Sequence, residues 1–217
     1  MEKVKAMMKS SMDLEALKKR WDYRVARWVS NILNPPLVAA FGIFLMAAVL
    51  GTPEAWFWAV VFVFLAVSIP TSYVVWLLKK GRIENFHIPN RENRHGPYKV
   101  IILSNLLGVV LMVIFDAPFL LLAFGVIGMM QSFLLYMVNR YWKISGHTTA
   151  ITGLSVFMVA SLGWGMSPVL VMVPLVAWAR IRTRSHSFWQ TIAGILTGTT
   201  FILATWYLFR LVVRSEF

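Results

Sequence analysis

Cysteine is absent from this chain, and acidic residues are few. Without cysteine, the 217 residues can form no disulfide, no thiolate metal site and no cysteine nucleophile. Only 9 Asp and Glu residues oppose 21 Lys and Arg residues, and neither a paired-aspartate motif nor a His-Glu-x-x-His pattern occurs. These absences argue against the enzyme classes that hold magnesium or zinc through such motifs. We expect no resident metal ion and no cofactor.

Hydrophobic residues make up 59% of the chain, and they fall in long runs with few charges. Runs near 18 residues or longer of this kind are typical of membrane-spanning helices. The fold class predicted is therefore an all-α polytopic transmembrane bundle of about six or seven spans, with its polar site at one membrane face. The predicted spans cover residues 36–50, 56–78, 99–115, 118–138, 148–162, 168–179 and 189–212.

The first 34 residues differ from the rest of the chain because they are basic and amphipathic. Val25, Trp28, Val29 and Ile32 recur at helical spacing, which favours a helix lying on the membrane surface. A solvated basic tail is the alternative. We divide the chain into this N-terminal segment, residues 1–34, and a membrane domain, residues 35–217.

Basic residues are concentrated in the segments that the predicted spans place on one side of the membrane. These segments are the N-terminal region and residues 79–98, 139–147 and 180–186. The positive-inside rule then places the polar segments in the cytoplasm. The net charge of +12 is explained by this topology and by an anionic lipid or ligand, so we expect no nucleic-acid partner.

Two of these polar segments carry residues suited to phosphate chemistry. Lys143, Ser145, Gly146 and His147 stand between the fourth and fifth spans. Lysine and serine can donate to phosphate, glycine lets a ligand approach the backbone, and helix N-terminal N–H groups favour an anion. The last of these segments, residues 180–186, adds an arginine fork and a second imidazole, at Arg180 and His186. One histidine could attack phosphorus while the other protonates the leaving oxygen.

The pattern resembles the type 2 phosphatidic acid phosphatase superfamily, which shares its active-site design with vanadium haloperoxidases. Lys143-Ile144-Ser145-Gly146-His147 is similar to the second motif of that family, with Ile144 in place of proline. Ala179-Arg180 and His186 are similar to the third motif, with Gln190 in place of aspartate. His87 and Arg94 have the spacing of the first motif, with His87 in place of lysine, and Arg91 is an additional cation. The pattern looks closer to a divergent group of small prokaryotic members.

The resemblance implies a membrane-embedded phosphatase that needs no metal ion and forms a phosphohistidine. It implies His186 as nucleophile, His147 as general acid and Gln190 as the partner of His186. The phosphate-binding residues would be His87, Arg91, Arg94, Lys143, Ser145, Gly146 and Arg180. Phosphatidate, phosphatidylglycerol phosphate and polyprenyl diphosphates would all fit as substrates in a prokaryotic cell membrane.

A second function from another class is also consistent with the residues. Gln190 lacks the charge of an aspartate, and His87 replaces a lysine. The chain could therefore be a catalytically degenerate protein that binds anionic lipids, or a transporter. The motif Gly194-x-x-x-Gly198 can bring helices close together, either within the bundle or between the subunits of a homo-oligomer.

Overall fold

A computed structural model describes residues 16, 18–86, 88, 90 and 92–214. Within these residues, all of the regular secondary structure is helical. The predicted all-α class is thereby confirmed. The α-helices in chain order are α1 Trp21–Ile32, α2 Pro35–Leu50, α3 Pro53–Phe62, α4 Ile69–Lys79, α5 His95–Ile114, α6 Phe119–Tyr141, α7 Gly146–Leu162, α8 Met172–Arg182 and α9 Phe188–Arg214.

Three shorter helical segments extend these helices. A π-helical segment, Val63–Ser68, joins α3 to α4, and the 3₁₀ segments Glu92–Arg94 and Trp164–Val171 precede α5 and α8. Pro70 follows the π segment closely, and proline has no N–H to continue an α-helical hydrogen-bond ladder. A local widening of the helix is a common response, and such π segments frequently occur at functional sites.

Five helical segments in the described residues are long and apolar enough to cross a membrane. They are Pro53–Lys79, Glu92–Ile114, Phe119–Tyr141, Trp164–Arg182 and Phe188–Leu211. The pair α1 and α2 forms a sixth if it is counted as one span bent by 54°. The chain is therefore an integral membrane protein. The predicted span at 148–162 corresponds to α7, which has 17 residues and is shorter than the other candidates.

The bend between α1 and α2 has a local cause. Asn34 adopts an extended conformation, and its side chain accepts a hydrogen bond from the Leu37 N–H (2.9 Å), which caps α2. Pro35 and Pro36 occupy the first turn of α2, where the missing N–H groups are not needed. Asparagine and two prolines thus end one helix and begin the next, at the boundary predicted between residues 34 and 35.

Helix α7 lies at the centre of the bundle. More than half of its residues are buried, and it packs against α2, α8 and α9. The contact with α9 is close because of Gly194 and Gly198. A Cβ at Gly194 would lie 2.8 Å from the Ser145 carbonyl oxygen, and one at Gly198 would lie 2.8 Å from the Thr149 carbonyl oxygen. The two glycines therefore serve packing within the bundle.

The outer surface of the bundle is apolar, as lipid contact requires. Aromatic residues mark both ends: Tyr141, Trp142 and Trp189 are exposed at the end that carries the polar segments, and Trp164 is exposed at the other. Such residues are enriched at membrane–water interfaces. Helix α1 packs against α8, where Arg182 Nη2 forms an ion pair with Asp22 Oδ2 (2.8 Å).

Candidate active site

Described residues from three of the polar segments, 79–98, 139–147 and 180–186, meet at one end of the bundle. A cavity of about 300 Å³ reaches this end, and each of the three segments contributes polar residues to its lining. Arg94 belongs to the first segment, Gly146 and His147 to the second, and Arg180 and His186 to the third. The structure thus brings together residues from the 3₁₀ segment before α5, from α7, from α8 and from the α8–α9 connection.

The second and third segments are joined by hydrogen bonds. The Ser145 N–H donates to the Gln190 carbonyl oxygen (3.3 Å). Thr148 Oγ1 donates to the Thr191 carbonyl oxygen (3.3 Å) and to the Ser145 carbonyl oxygen (3.1 Å). Because Gly194 allows α9 to approach α7, these short polar side chains can bridge the two helices. The bonds hold the first turn of α7 beside the first turn of α9.

Ser145 itself is a helix cap. Its side chain accepts a hydrogen bond from the Thr148 N–H (3.4 Å) at the start of α7, and the residue is fully buried. Serine is a preferred N-cap residue because its oxygen satisfies one of the free N–H groups of the first turn. Ser145 and Lys143 are not part of the cavity lining, whereas the neighbouring Gly146 and His147 are.

Gln190 fixes the orientation of the His186 ring. Its side-chain oxygen Oε1 accepts a hydrogen bond from the Ser187 N–H (3.1 Å), and the Gln190 N–H donates to Ser187 Oγ (3.3 Å). This reciprocal pair is a capping box at the start of α9. The same oxygen lies 3.2 Å from His186 Nδ1. Since Oε1 can only accept, Nδ1 must carry the proton, which leaves a lone pair on Nε2.

The surroundings of His186 keep its ring neutral. The side chain is 6% exposed, and burial lowers the pKa of His186 from 6.5 to about 3, assisted by the charges of Arg180, Lys143 and Arg94. The hydrogen bond to Gln190 acts weakly in the opposite direction. A neutral imidazole with a free Nε2 lone pair is the form that can act as a nucleophile.

Arg180 supports the site in two ways. Its carbonyl oxygen accepts hydrogen bonds from the Ser185 N–H (3.1 Å) and the His186 N–H (3.3 Å), which folds the α8–α9 connection. Its guanidinium is buried, with the side chain 4% exposed, and its Nε has no hydrogen-bond partner among the described residues. A buried cationic donor without a partner is costly, and an anion in the cavity would satisfy it.

Two more cations belong to the same cluster. Arg94 Nε donates to the Ile88 carbonyl oxygen (2.7 Å), which holds the guanidinium at the cavity. The pKa of Lys143 is lowered, first by burial and then by the charges of Arg94 and Arg180. The positive charges of these side chains repel one another, and an anion that binds between them would relieve this repulsion. We refer to Arg94, Lys143 and Arg180 as the cation cluster.

Two predicted site residues, His87 and Arg91, lie outside the described residues. Arg182, by contrast, does not belong to the site: it donates to Asp22 through Nε (3.0 Å) and so anchors α1.

The sequence pattern did not indicate Tyr98, which lines the cavity one helical turn after Arg94. It also missed the cap formed by Ser187, although the pattern Ser187-x-x-Gln190 before an apolar run is a recognisable capping-box signal.

Comparisons with known proteins add nothing to this geometry. No model of a known protein family matches the chain, and neither a curated protein nor a solved structure is similar enough to count as a match. Within the part of the chain that the structure describes, no group of three or more His, Cys, Asp or Glu side chains could hold a metal ion.

Proposed function

We propose that this membrane protein hydrolyses a phosphate or diphosphate ester on a lipid, through a phosphohistidine on His186. One observation carries the proposal. In a membrane bundle, a buried neutral histidine with Nδ1 beside Gln190 Oε1 lines a cavity together with Arg94 and Arg180, and the charge of Lys143 acts on the same ring. A nucleophile placed within a cluster of positive charge is suited to attack an anionic ester.

The first step transfers the phosphoryl group to the enzyme. His186 Nε2 donates its lone pair to phosphorus, and a nitrogen–phosphorus bond forms. The bond from phosphorus to the leaving oxygen breaks; this is the lipid oxygen in a monoester and the bridging oxygen in a diphosphate. His147, as general acid, gives a proton to the departing oxygen. Gln190 keeps the proton on Nδ1, so that the ring attacks through the correct nitrogen.

The second step regenerates the enzyme. Water attacks phosphorus, the nitrogen–phosphorus bond breaks, and inorganic phosphate leaves. His147, now neutral, accepts the proton of the water and returns to its starting form. In both steps the cation cluster stabilises the charge that is redistributed over the phosphoryl oxygens. His147 and His186 line the same cavity, which supports their action on one phosphorus atom.

The alternative is an anionic-lipid-binding protein without turnover. It is favoured by Gln190, which orients the ring but adds no negative charge to stabilise the imidazolium-like state. It is also favoured by Ser145, whose side chain is buried and occupied as a cap. The two functions share the cation cluster, and they differ only in whether phosphate is released.

Phosphate release from a panel of lipid phosphates in detergent, with a chelator present, tests the proposal. The panel contains phosphatidate, phosphatidylglycerol phosphate and a polyprenyl diphosphate. We expect release by the wild type, its loss in His186→Ala and in His147→Ala, and inhibition by vanadate, which mimics a five-coordinate phosphoryl group. Release that persists in either variant would refute the assigned roles. Lipid binding without release by the wild type would favour the alternative.

We also propose that the polar end of the bundle faces the cytoplasm of a prokaryotic cell. The clustering of Lys and Arg at that end supports this orientation. The absence of cysteine makes the test direct, because Arg184→Cys introduces a single thiol at an exposed position near the site. An impermeant maleimide should label this variant in inverted membrane vesicles and not in intact cells, and the reverse pattern would overturn the orientation. Homo-oligomer formation stays a prediction.

A further inference from the structure

The cavity extends well beyond the phosphate end, into the apolar interior of the bundle. Beyond the cation cluster its walls come mainly from α2, α4, α5, α6 and α7, with smaller contributions from α3, the π segment and α9, and aromatic side chains form part of this lining. Phe62, Phe124 and Phe157 are among these inner residues. A ligand whose phosphate lies at the cations therefore places its next atoms in this inner part of the cavity.

Two polar side chains in the wall have unused hydrogen-bonding atoms. Gln131 Nε2 on α6 and Thr71 Oγ1 on α4 are buried and have no hydrogen-bond partner among the described residues. Neighbouring polar residues differ, because Asn105 donates to the Ile101 carbonyl oxygen (2.8 Å) and Ser132 to the Gly128 carbonyl oxygen (2.9 Å). An amide buried without a partner is costly, by about 1–3 kcal/mol. Gln131 and Thr71 thus stand out as groups that a ligand would satisfy.

The fold makes room for the Gln131 amide. It lies against Gly153 of α7, where a Cβ would be 2.7 Å from Gln131 Nε2 and 3.0 Å from Oε1. Gly153 follows His147 by six positions on the same helix, so the amide is roughly 9 Å deeper than the phosphate end at a rise of 1.5 Å per residue. This depth is where the atoms that follow a lipid phosphate would lie.

We propose that Gln131, assisted by Thr71, is a specificity-determining subsite that recognises the oxygen-bearing glycerol backbone of a glycerolipid phosphate. The inference rests on the proposed function and narrows its substrate class. In a diacylglycerol phosphate, ester oxygens follow the phosphate and can accept hydrogen bonds from the amide and the hydroxyl. A prenyl phosphate has only hydrocarbon at this depth and would leave both donors unsatisfied. A site built to hydrogen-bond a substrate discriminates strongly against an analogue that lacks the partner.

The test compares dioleoyl phosphatidate with a prenyl monophosphate, at equal mole fractions in detergent. We expect the wild-type kcat/KM to be at least about 10-fold higher for phosphatidate. Gln131→Leu should lower the value for phosphatidate by about 10-fold and leave that for the prenyl phosphate unchanged. Ile127→Val, a change in the same cavity wall on α6, should alter both values by the same factor. A prenyl preference in the wild type, or an equal loss on both substrates in Gln131→Leu, would overturn the inference.

A binding measurement separates this subsite from catalysis. If neither lipid is hydrolysed, the proposed function fails, and the thermal shift caused by each lipid then decides the inference. Phosphatidate should raise the Tm of the wild type more than that of Gln131→Leu, whereas the prenyl phosphate should raise both equally. Equal shifts for phosphatidate in the two proteins would refute the subsite. Without ligand, Gln131→Leu should melt no lower than the wild type, because it removes an unpaired amide.

Discussion

The side-chain oxygen of Gln190 lies 3.2 Å from His186 Nδ1, and that oxygen is simultaneously part of the cap of α9. One residue thus couples the start of a helix to the tautomer of the proposed nucleophile. A glutamine can do both because each task needs only an oxygen that accepts a hydrogen bond. The four predictions that follow concern this residue, the buried arginine, the protonation of His186 and the helix contact that holds the site together.

Substitutions of Gln190 should show whether the site needs only a hydrogen-bond acceptor that orients the His186 ring, or also a negative charge beside it. Gln190→Leu removes the acceptor of both the Ser187 N–H and His186 Nδ1. We expect phosphate release to fall by about 10²- to 10⁴-fold, and stability to fall by about 1 kcal/mol through loss of the cap. Gln190→Glu keeps the acceptor and adds a negative charge at a helix N-terminus, so it should be at least as stable and at least as active.

The pH profile of Gln190→Glu provides a further check. A carboxylate beside His186 favours the imidazolium, so the pKa of His186 should rise and the acidic limb of kcat/KM should move to higher pH. The measurements are initial rates from pH 5 to 8 and thermal melts in detergent. An inactive Gln190→Glu beside an active Gln190→Leu would contradict the role assigned to the Gln190 oxygen.

Replacement of Arg180 should change stability and activity in opposite directions. The Arg180 guanidinium is buried and its Nε is unpartnered, so Arg180→Gln removes a charge that destabilises the empty site. We expect the variant to melt at a higher temperature without ligand. Its kcat/KM should fall by about 10²- to 10³-fold, because a donor to the transition state is lost.

Arg184→Gln is the control for Arg180→Gln. Arg184 lies four positions after Arg180, on the connection that follows α8, and is exposed. We expect its replacement to change kcat/KM by less than about 2-fold, as for a surface charge. Lower stability in Arg180→Gln without ligand, together with unchanged activity, would show that Arg180 serves the fold and not the phosphate.

The buried neutral His186 should make the protein sensitive to acid. Its pKa is about 3 in the folded protein and 6.5 when exposed, so the unfolded chain binds the proton more tightly. The part of the free energy of unfolding that depends on His186 is therefore constant above about pH 6.5, and it falls as the pH decreases from 6.5 towards 3. The slope can reach about 1.4 kcal/mol per pH unit.

The comparison is between the wild type and His186→Gln, which is neutral throughout this range. Thermal melts at pH 7.5, 6.5, 5.5 and 4.5 should show the wild type losing stability relative to the variant only at the two lower values. Parallel curves would mean that the ring is already protonated, or that it is exposed, in the folded protein.

The contact between α7 and α9 should be intolerant of a methyl group. In Gly194→Ala the added Cβ would lie 2.8 Å from the Ser145 carbonyl oxygen and 3.1 Å from Thr149 Oγ1. We expect a loss of about 1–3 kcal/mol from overpacking, and lower activity because the segments that carry His147 and His186 must separate. Gly165→Ala adds a methyl group in open space and should leave activity unchanged. Equal melting temperatures for Gly194→Ala and the wild type would refute the close contact.

The sequence by itself determined the membrane bundle and the residues on which the site is built. Long apolar runs exclude water-soluble folds, and proline, glycine and asparagine end helices through local effects, as at Asn34 and Gly51. The spacing of Lys143 to His147 and of Arg180 to His186 identified two of the polar segments without any knowledge of distances. Local chemistry is enough for such features, because they depend on neighbours along the chain.

Tertiary structure decided which polar residues act together. Arg180 is unpartnered at Nε and lines the cavity, whereas Arg182, two positions later, pairs with Asp22 of α1. Gly194 and Gly198 pack α9 against α7 within the bundle, which periodicity alone left open. Ser145 is a buried helix cap, and Gln131 lies beside Gly153 in the cavity wall. These outcomes depend on contacts between segments far apart in the chain, and no local pattern encodes them.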